Sequence, residues 1–413
     1  MSLPGRRLLA TLAALGWIGM ISLNALAAAL PDSTWIQLQQ LPGQGRTALF
    51  ALAVDPANNR VVVAANSQGS LLRSTNGGTA WASVHAGSNA VNVVSFSPNA
   101  AGFVLAGTRG GGALFSRDGG ATWSNARGLE GRNVRVFGFA LTLVAAGTDH
   151  GVFTSPDGAT WTSSGLTDRS IGALAVEAIH DPVRLVAGTD VQATGGTLPL
   201  YQSLDGGATW NQLNPPLSGT MTVKLAAGPL PPTGNVRPLL AGTNTGLFSS
   251  NDNGASFTPL SGGGLLPTTD YTQVAFITAH HDRFYAGSDG GGSKSGGLWR
   301  TNDGGQTFNS LQPPQPSVTA LAVSNDEQPL LYVATFEPAT HAVVLWAYHD
   351  TGGQPVGPPV SPVASAPRIF HGSDASTLSQ ILASPQLPYI GLGLGALAVI
   401  LTAIVAHLRS RYR

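Results

Sequence analysis

The chain has 413 residues, no cysteine, and 21 basic against 21 acidic side chains. The lack of cysteine excludes disulfides, thiolate metal ligands and a cysteine nucleophile, and the zero net charge argues against nucleic acid as a partner. With 53 glycines, 28 prolines and only 10% charged residues, the composition favours short strands joined by tight turns.

The N-terminal segment, residues 1–29, has the pattern of a secretory signal. Arg6 and Arg7 precede an apolar run over residues 8–23, and small residues follow in an A-x-A arrangement. The apolar run continues weakly beyond it, so the segment is either a cleaved signal peptide or an uncleaved signal anchor. Both forms send the following chain across a membrane.

One short phrase then recurs six times: a hydroxyl residue, a gap, an acidic position, a glycine-rich step and an aromatic residue. The acidic and aromatic positions of these glycine-rich turns are Asn76 and Trp81, Asp118 and Trp123, Asp157 and Trp161, Asp205 and Trp210, Asp252 and Phe257, and Asp303 and Phe308. The intervals between successive acidic positions are 42, 39, 48, 47 and 51 residues. Such a period, with strands between the copies, predicts the blades of a β-propeller.

Each unit contains three apolar strands before its turn and a fourth strand that begins at the aromatic residue, which we expect to be buried. A seventh unit has its first three strands within residues 317–348 and a degenerate turn at 350–353 without an aromatic residue. Residues 34–38, with Trp35, resemble the missing fourth strand. We therefore predict an all-β, seven-bladed β-propeller over residues 33–353, closed by this N-terminal strand.

The repeated phrase resembles the Asp-box, or bacterial neuraminidase repeat, of sialidases, sortilin-like receptors, xyloglucanases and photosystem II assembly-factor-like propellers. Two departures are local: Asn76 replaces the aspartate in the first copy, and the third copy has one residue fewer between Asp157 and Trp161. These families share the box without sharing one chemistry, so the resemblance implies the fold and not an activity. The acids of the turns are expected to be structural, because a short acidic side chain accepts N–H groups within its own turn. All the boxes are expected at one end of the ring. By analogy with these families, ligands are expected at the opposite end.

A glycoside hydrolase of sialidase or xyloglucanase type is the alternative reading. A sialidase needs an arginine cluster that binds a carboxylate and a tyrosine nucleophile with an acidic partner, whereas a xyloglucanase-like hydrolase needs two carboxylates beside a cleft. The candidates, all on turns between second and third strands, are Asp149, Asp190, Asp289 and Glu337. The Phe-Arg-Ile-Pro motif expected of a sialidase is absent. We therefore predict no catalytic residue and no cofactor, and keep a glycan as the partner in this alternative.

Two further features concern partners and metals. The junction at residues 262–271 offers apolar contact area, and its candidate partner-binding residues are Leu265, Leu266, Pro267 and Tyr271; a loop packed over its own blade is the competing interpretation. His280 and His281 lack a third ligand at metal-binding spacing, so they indicate a solvated hairpin and no metal site. No dense arginine patch is visible in the sequence.

The C-terminal part predicts attachment to a membrane. Residues 354–387 form a Pro-rich stalk, residues 389–408 an uncharged span long enough for a transmembrane helix, and residues 409–413 a basic tail. Basic flanks stay in the cytoplasm, which places the propeller on the extracytoplasmic side. The prediction is a membrane-anchored, non-enzymatic binding or assembly scaffold for another protein or protein complex, similar to photosystem II assembly-factor-like propellers.

Overall fold

The computed structural model describes the central part of the chain. The described residues are 32–41, 49–177, 182–189, 197–214, 217–219, 221–232, 236–266, 268–277, 280–290, 296–337, 340 and 342–353. The predicted signal segment, stalk, transmembrane helix and basic tail lie outside them. Within the described part, no helix has the length and apolarity needed to cross a bilayer.

These residues form seven four-stranded antiparallel sheets, which are the blades. Blade 1 is β2 (Leu49–Asp55), β3 (Asn58–Asn66), β4 (Ser70–Ser74) and β5 (Ala82–Ala86); blade 2 is β6 (Val91–Phe96), β7 (Val104–Thr108), β8 (Ala113–Ser116) and β9 (Ser124–Asn125). Blade 3 is β10 (Val134–Phe139), β11 (Val144–Thr148), β12 (Gly151–Ser155) and β13 (Thr162–Ser163); blade 4 is β14 (Ile171–Glu177), β15 (Arg184–Thr189), β17 (Leu200–Ser203) and β18 (Asn211–Gln212), with an added pair β16 (Thr197–Leu198) and β19 (Leu217–Ser218). Blade 5 is β20 (Thr222–Ala227), β21 (Leu239–Thr243), β22 (Gly246–Ser250) and β23 (Thr258–Leu260); blade 6 is β24 (Gln273–Ile277), β25 (His280–Ser288), β26 (Gly297–Thr301) and β27 (Asn309–Ser310). Blade 7 is β28 (Ser317–Val323), β29 (Leu330–Glu337), β30 (Ala342–His349) and β1 (Trp35–Gln37).

The second strand of a blade is buried on both faces because each blade lies between two others. Val104–Thr108, Val144–Thr148 and Leu239–Thr243 are buried throughout. Their small residues allow the blades to approach closely. A Cβ added to Gly107 would lie 2.7 Å from a Val93 methyl in its own blade and 2.8 Å from a Val134 methyl in the next. The recurring Ala-Gly-Thr strands therefore reflect blade-to-blade packing.

The fourth strands differ from the sequence prediction of buried strands. The two-residue strands β9, β13 and β18 are exposed, because nothing packs outside the last strand of a blade. The aromatic residue before each of these strands reaches inward. Trp161 and Phe308 are buried, and the other four aromatics are half-buried.

The N-terminal strand closes the ring, as predicted. β1 pairs antiparallel with β30, with Trp35 opposite Tyr348, and the two rings lie 4.7 Å apart. The indole N–H of Trp35 donates to the carbonyl of Leu311 in blade 6, at 2.8 Å. First strands contact one another around the ring, including blade 7 against blade 1. The seven-bladed propeller is thereby confirmed.

A buried ionic cluster joins the end of blade 7 to blade 6. The fully buried Asp350 carboxylate contacts Arg283 at 2.9 Å and Arg300 at 2.5 Å, and accepts the Tyr285 hydroxyl at 2.6 Å. Burial, and then the neighbouring Asp350 charge, raise the pKa of Tyr285 well above its usual value. We call these four residues the Asp350 cluster.

Strand pairing shows that Asp350 occupies the acidic position of the degenerate turn. Tyr348 lies opposite Leu331, as Ser74 lies opposite Val62 in blade 1, and Asp350 follows Tyr348 by two residues. The acid of the seventh turn therefore contacts the adjacent blade, whereas the acids of the other turns accept hydrogen bonds from residues of their own turns.

Candidate binding site

Each glycine-rich turn satisfies its acid internally. In the second copy, Ser116 Oγ donates to Asp118 Oδ1 at 2.7 Å and accepts the Gly120 N–H at 2.9 Å. Asp118 also accepts the Thr122 N–H at 2.9 Å and its hydroxyl at 2.6 Å. The Trp123 indole N–H then donates to Gly120 O at 3.0 Å. The same acid contacts recur around Asp205, Asp252 and Asp303.

These hydrogen bonds keep the acids ionised. The hydroxyl and N–H of Thr209 lower the pKa of Asp205 to about 2. Burial alone would raise the pKa of Asp118, but the bonds from Thr122 and Ser116 outweigh it and the pKa falls. The pKa is likewise lowered at Asp157, Asp252 and Asp303. An acid held in this state is unsuited to proton transfer near neutral pH.

The two irregular turns close by related contacts. Asn76 accepts the Ser74 hydroxyl at 2.8 Å and the Ala80 N–H at 2.9 Å through its one side-chain oxygen. Asp157, whose turn is one residue shorter, accepts the N–H groups of Ala159 at 2.9 Å and Thr160 at 3.1 Å.

The turns share one end of the ring, which we call the turn rim. Their glycine N–H groups donate to carbonyls near the start of the second strand of the same blade, next to the turn between the first and second strands, as in Gly77 to Arg60 and Gly304 to Asp282, both at 2.9 Å. The turns between second and third strands therefore lie at the other end, the opposite rim.

The predicted hydrolase acids within the described residues lie on three different blades. Asp149, Asp289 and Glu337 follow the second strands of blades 3, 6 and 7 on the opposite rim, and Asp190 lies outside the described residues. Among the described residues no group of three or more His, Asp or Glu is placed to hold a metal ion.

In the junction at residues 262–271, two of the candidate partner-binding residues are buried in the core. Leu265 and Tyr271 are buried in the core between blades 5 and 6, with Tyr271 5.8 Å from the Trp299 ring. The Tyr271 hydroxyl donates to Leu266 O at 2.7 Å, and burial raises its pKa. Pro267 lies outside the described residues. The loop therefore packs over its own blades, because its apolar side chains complete the core and leave little contact area.

A concave site on the opposite rim contains two arginines. Asn92, Arg109, Asn133 and Arg135 line a space of about 510 Å³ between blades 2 and 3, which we call the arginine basin. Asn92 and Arg135 lie at the start of the first strands, Arg109 follows a second strand, and Asn133 precedes blade 3. The Asn92 amide donates to Asn133 Oδ1 at 2.7 Å and to the Val134 carbonyl at 3.1 Å.

The basin is electropositive on its lining surface. Arg109 is exposed and Arg135 is half-buried. Burial lowers the pKa of Arg135, the nearby Asp149 opposes that shift, and the like charge of Arg109 adds to it. Guanidinium groups bind carboxylates in a fixed fork geometry, and amides suit peptide groups. The basin can therefore bind an acidic or carboxyl-terminal protein segment.

Sequence reasoning missed the basin because its arginines belong to different blades. Arg109 stands in a turn after a strand of blade 2, and Arg135 lies on a strand of blade 3. Alignment of the blades by strand order would have placed both at one rim, since successive blades are neighbours in the ring.

Comparison with known proteins shows similarity of fold. No family model matches the sequence, and no curated protein does. Among solved structures, YCF48 from Cyanidioschyzon merolae is 16% identical with a TM-score of 0.54, covering 76% of this chain and 98% of that one. A structure described as YCF48 bound to D1 peptide is 16% identical with a TM-score of 0.54, and the match covers 77% of this chain and 95% of that one. The GH74 xyloglucanase from Xanthomonas campestris is 16% identical with a TM-score of 0.55, and the match covers 75% of this chain and 55% of that one. This chain therefore spans little more than half of the length of that enzyme. The chain is thus a seven-bladed β-propeller whose fold is similar both to YCF48 proteins and to a GH74 xyloglucanase.

Proposed function

We propose that this chain is a membrane-anchored, extracytoplasmic β-propeller that binds a segment of another protein and acts as a non-enzymatic binding or assembly scaffold. The arginine basin carries the proposal, because Arg109 and Arg135 share a concave surface with two amide side chains. A solved structure described as YCF48 bound to D1 peptide supports the proposal, because a protein of similar fold binds a peptide. The basin favours a ligand with a side-chain or terminal carboxylate.

The test is peptide binding by the full-length protein in detergent. The probes are fluorescent peptides with a free C-terminal carboxylate or acidic residues, each compared with an amidated, uncharged twin. We expect Arg109→Ala and Arg135→Ala each to weaken binding about 10- to 100-fold, the range of one charge-assisted hydrogen bond of about 1.5–3 kcal/mol. Arg60→Ala, an exposed arginine on the turn rim, is the matched control and should bind normally. Equal binding by all variants, or by charged and uncharged peptides, would contradict the proposal.

The same protein incubated with a glycan panel tests the enzymatic reading. The scaffold proposal predicts no turnover. Hydrolysis that is abolished by Asp149→Asn, Asp289→Asn or Glu337→Gln would replace it with a hydrolase.

We propose membrane anchoring through residues 389–408, with residues 1–29 as the export signal. Its support is the uncharged span followed by a basic tail. The full-length protein should stay in the membrane fraction in alkaline carbonate, whereas a variant ending at residue 387 should be released. Extraction of the full-length protein by carbonate would refute the anchor.

We also propose that the six glycine-rich turns are Asp-boxes with a structural role. Their internally bonded acids support this assignment, and so do the aromatic residues that reach inward from the fourth strands.

A further inference from the structure

A second concave site lies on the turn rim, between blades 5 and 6. It has a volume of about 370 Å³, and its apolar lining includes Pro231, Val236, Pro238 and Phe276. We call it the blade 5–6 groove. Phe276 is half-buried and packs 5.3 Å from Phe284, so an aromatic surface faces the groove.

Polar groups line the same groove. His281 and Asp282 approach each other at 3.3 Å, and both are partly exposed. His281 Nδ1 is buried and has no hydrogen-bond partner among the described residues. His280 is buried, so this pair is not the solvated hairpin expected from the sequence. Exposed Asn251 and Gln306 add hydrogen-bonding side chains at the edge. An aromatic and proline surface with scattered polar groups fits a polyproline II ligand, whose backbone makes no internal hydrogen bonds.

The chain itself supplies such a ligand next to the groove. The last described residue, Gly353, lies against blade 6, where an added Cβ would come within 2.5 Å of the Asn302 amide nitrogen. Asp303 and Gly304, the next residues of that turn, line the groove. The sequence that follows, residues 354–363, is uncharged and reads QPVGPPVSPV, with two P-x-x-P patterns.

The distances agree with this arrangement. Packed sheets lie about 10 Å apart, so the segment must cross about one blade to reach the groove. Three residues of polyproline II span about 9 Å. A stretch as long as residues 354–356 is therefore long enough for the crossing, and residues 358–363 are the segment that follows it.

We propose that residues 358–363 dock as a polyproline II segment into the blade 5–6 groove of the same chain. The first part of the predicted stalk then runs along the turn rim before it leaves the propeller. This site is separate from the arginine basin, at the other end of the ring.

The absence of native cysteine allows a direct test by disulfide formation. In the full-length protein, Val236→Cys is combined in turn with Val356→Cys, Val360→Cys or Val363→Cys and oxidised under mild conditions. Disulfides form only when the Cβ atoms come within about 4.5 Å. We expect intramolecular bonds with position 360 or 363, at least tenfold faster than with position 356, measured by intact mass and non-reducing electrophoresis.

The controls separate docking from chance collision. His150→Cys, exposed on the opposite rim, replaces the groove cysteine and should crosslink at least tenfold more slowly. Gln306→Cys, exposed on the groove edge, serves as a second groove position if Val236→Cys fails to fold. Replacement of Pro358, Pro359 and Pro362 by serine should slow the groove crosslink at least tenfold. Rates equal to the opposite-rim control, an intermolecular product, or no effect of the proline replacements would each overturn the proposal.

Discussion

The two carboxylate oxygens of a glycine-rich turn have different partners. In the second turn, Asp118 Oδ1 accepts backbone N–H and serine hydroxyl, and Oδ2 accepts the hydroxyl of Thr122, four residues later. The first turn changes both members of that pair, because Asn76 has no second acceptor oxygen and Ala80 has no hydroxyl. We infer that the acid is required where a hydroxyl residue occupies the fourth position after it.

A double-mutant cycle tests this pairing. Asp118→Asn should destabilise the protein by about 0.5–1 kcal/mol when Thr122 is present, a small effect because the hydrogen bond is largely exposed. After Thr122→Ala the same change should cost much less, because the hydroxyl donor is already gone. Conversely, Asn76→Asp should stabilise the protein only together with Ala80→Thr. Thermal unfolding at pH 7 provides the measurement. Additive effects within error would exclude the pairing.

The coupling should also depend on pH. The folded pKa of Asp118 is lowered from 3.8, so its contribution is present above that value and is lost as the pH falls through the folded pKa. Repeating the cycle at progressively lower pH should therefore reduce the coupling towards zero.

At the scale of elements, the Asp350 cluster is an ionic contact between blade 7 and blade 6. Arg283 is on β25, Arg300 is on β26 and Asp350 follows β30, so one carboxylate joins three strands from two blades. Removal of one charge from a buried cluster leaves its partners without compensation, which costs more than the loss of a surface ion pair.

Asp350→Asn should lower the free energy of unfolding by about 3–5 kcal/mol, because two buried guanidinium groups lose their counter-charge. The matched control is Asp168→Asn, since Asp168 is 75% exposed and pairs with Arg169 at 3.4 Å. That control should cost less than about 1 kcal/mol. Denaturant unfolding of both variants gives the comparison, and similar midpoints would show that the cluster contributes little to stability.

At the scale of the whole molecule, the ring was predictable because its determinants are periodic. The spacing of the acidic and aromatic positions predicted six blades, the three strands within residues 317–348 predicted a seventh, and Trp35 marked a fourth strand without a blade of its own. The pairing of Trp35 with Tyr348 confirms that interpretation.

Other features depend on contacts between blades, which periodicity does not encode. The sequence showed apolar side chains at Leu265 and Tyr271, but only their packing against blade 6 shows that they are core residues. Asp350 resembled the remnant of a turn, although its partners lie on strands of another blade. The arginine basin was missed for the same reason, since Arg109 and Arg135 meet only once blades 2 and 3 are adjacent.

The pairing of β1 with β30 has a consequence for biosynthesis. Trp35–Gln37 emerges from the ribosome some 300 residues before Ala342–His349. At about 5–20 residues per second, this first strand remains without its partner for roughly 15–60 seconds. Throughout that interval the first strand lacks its partner, and an unpaired strand edge is competent for pairing with other polypeptides. The ring can therefore be completed only after nearly all of it has been translated, and a chaperone that covers this edge would be needed most just before release.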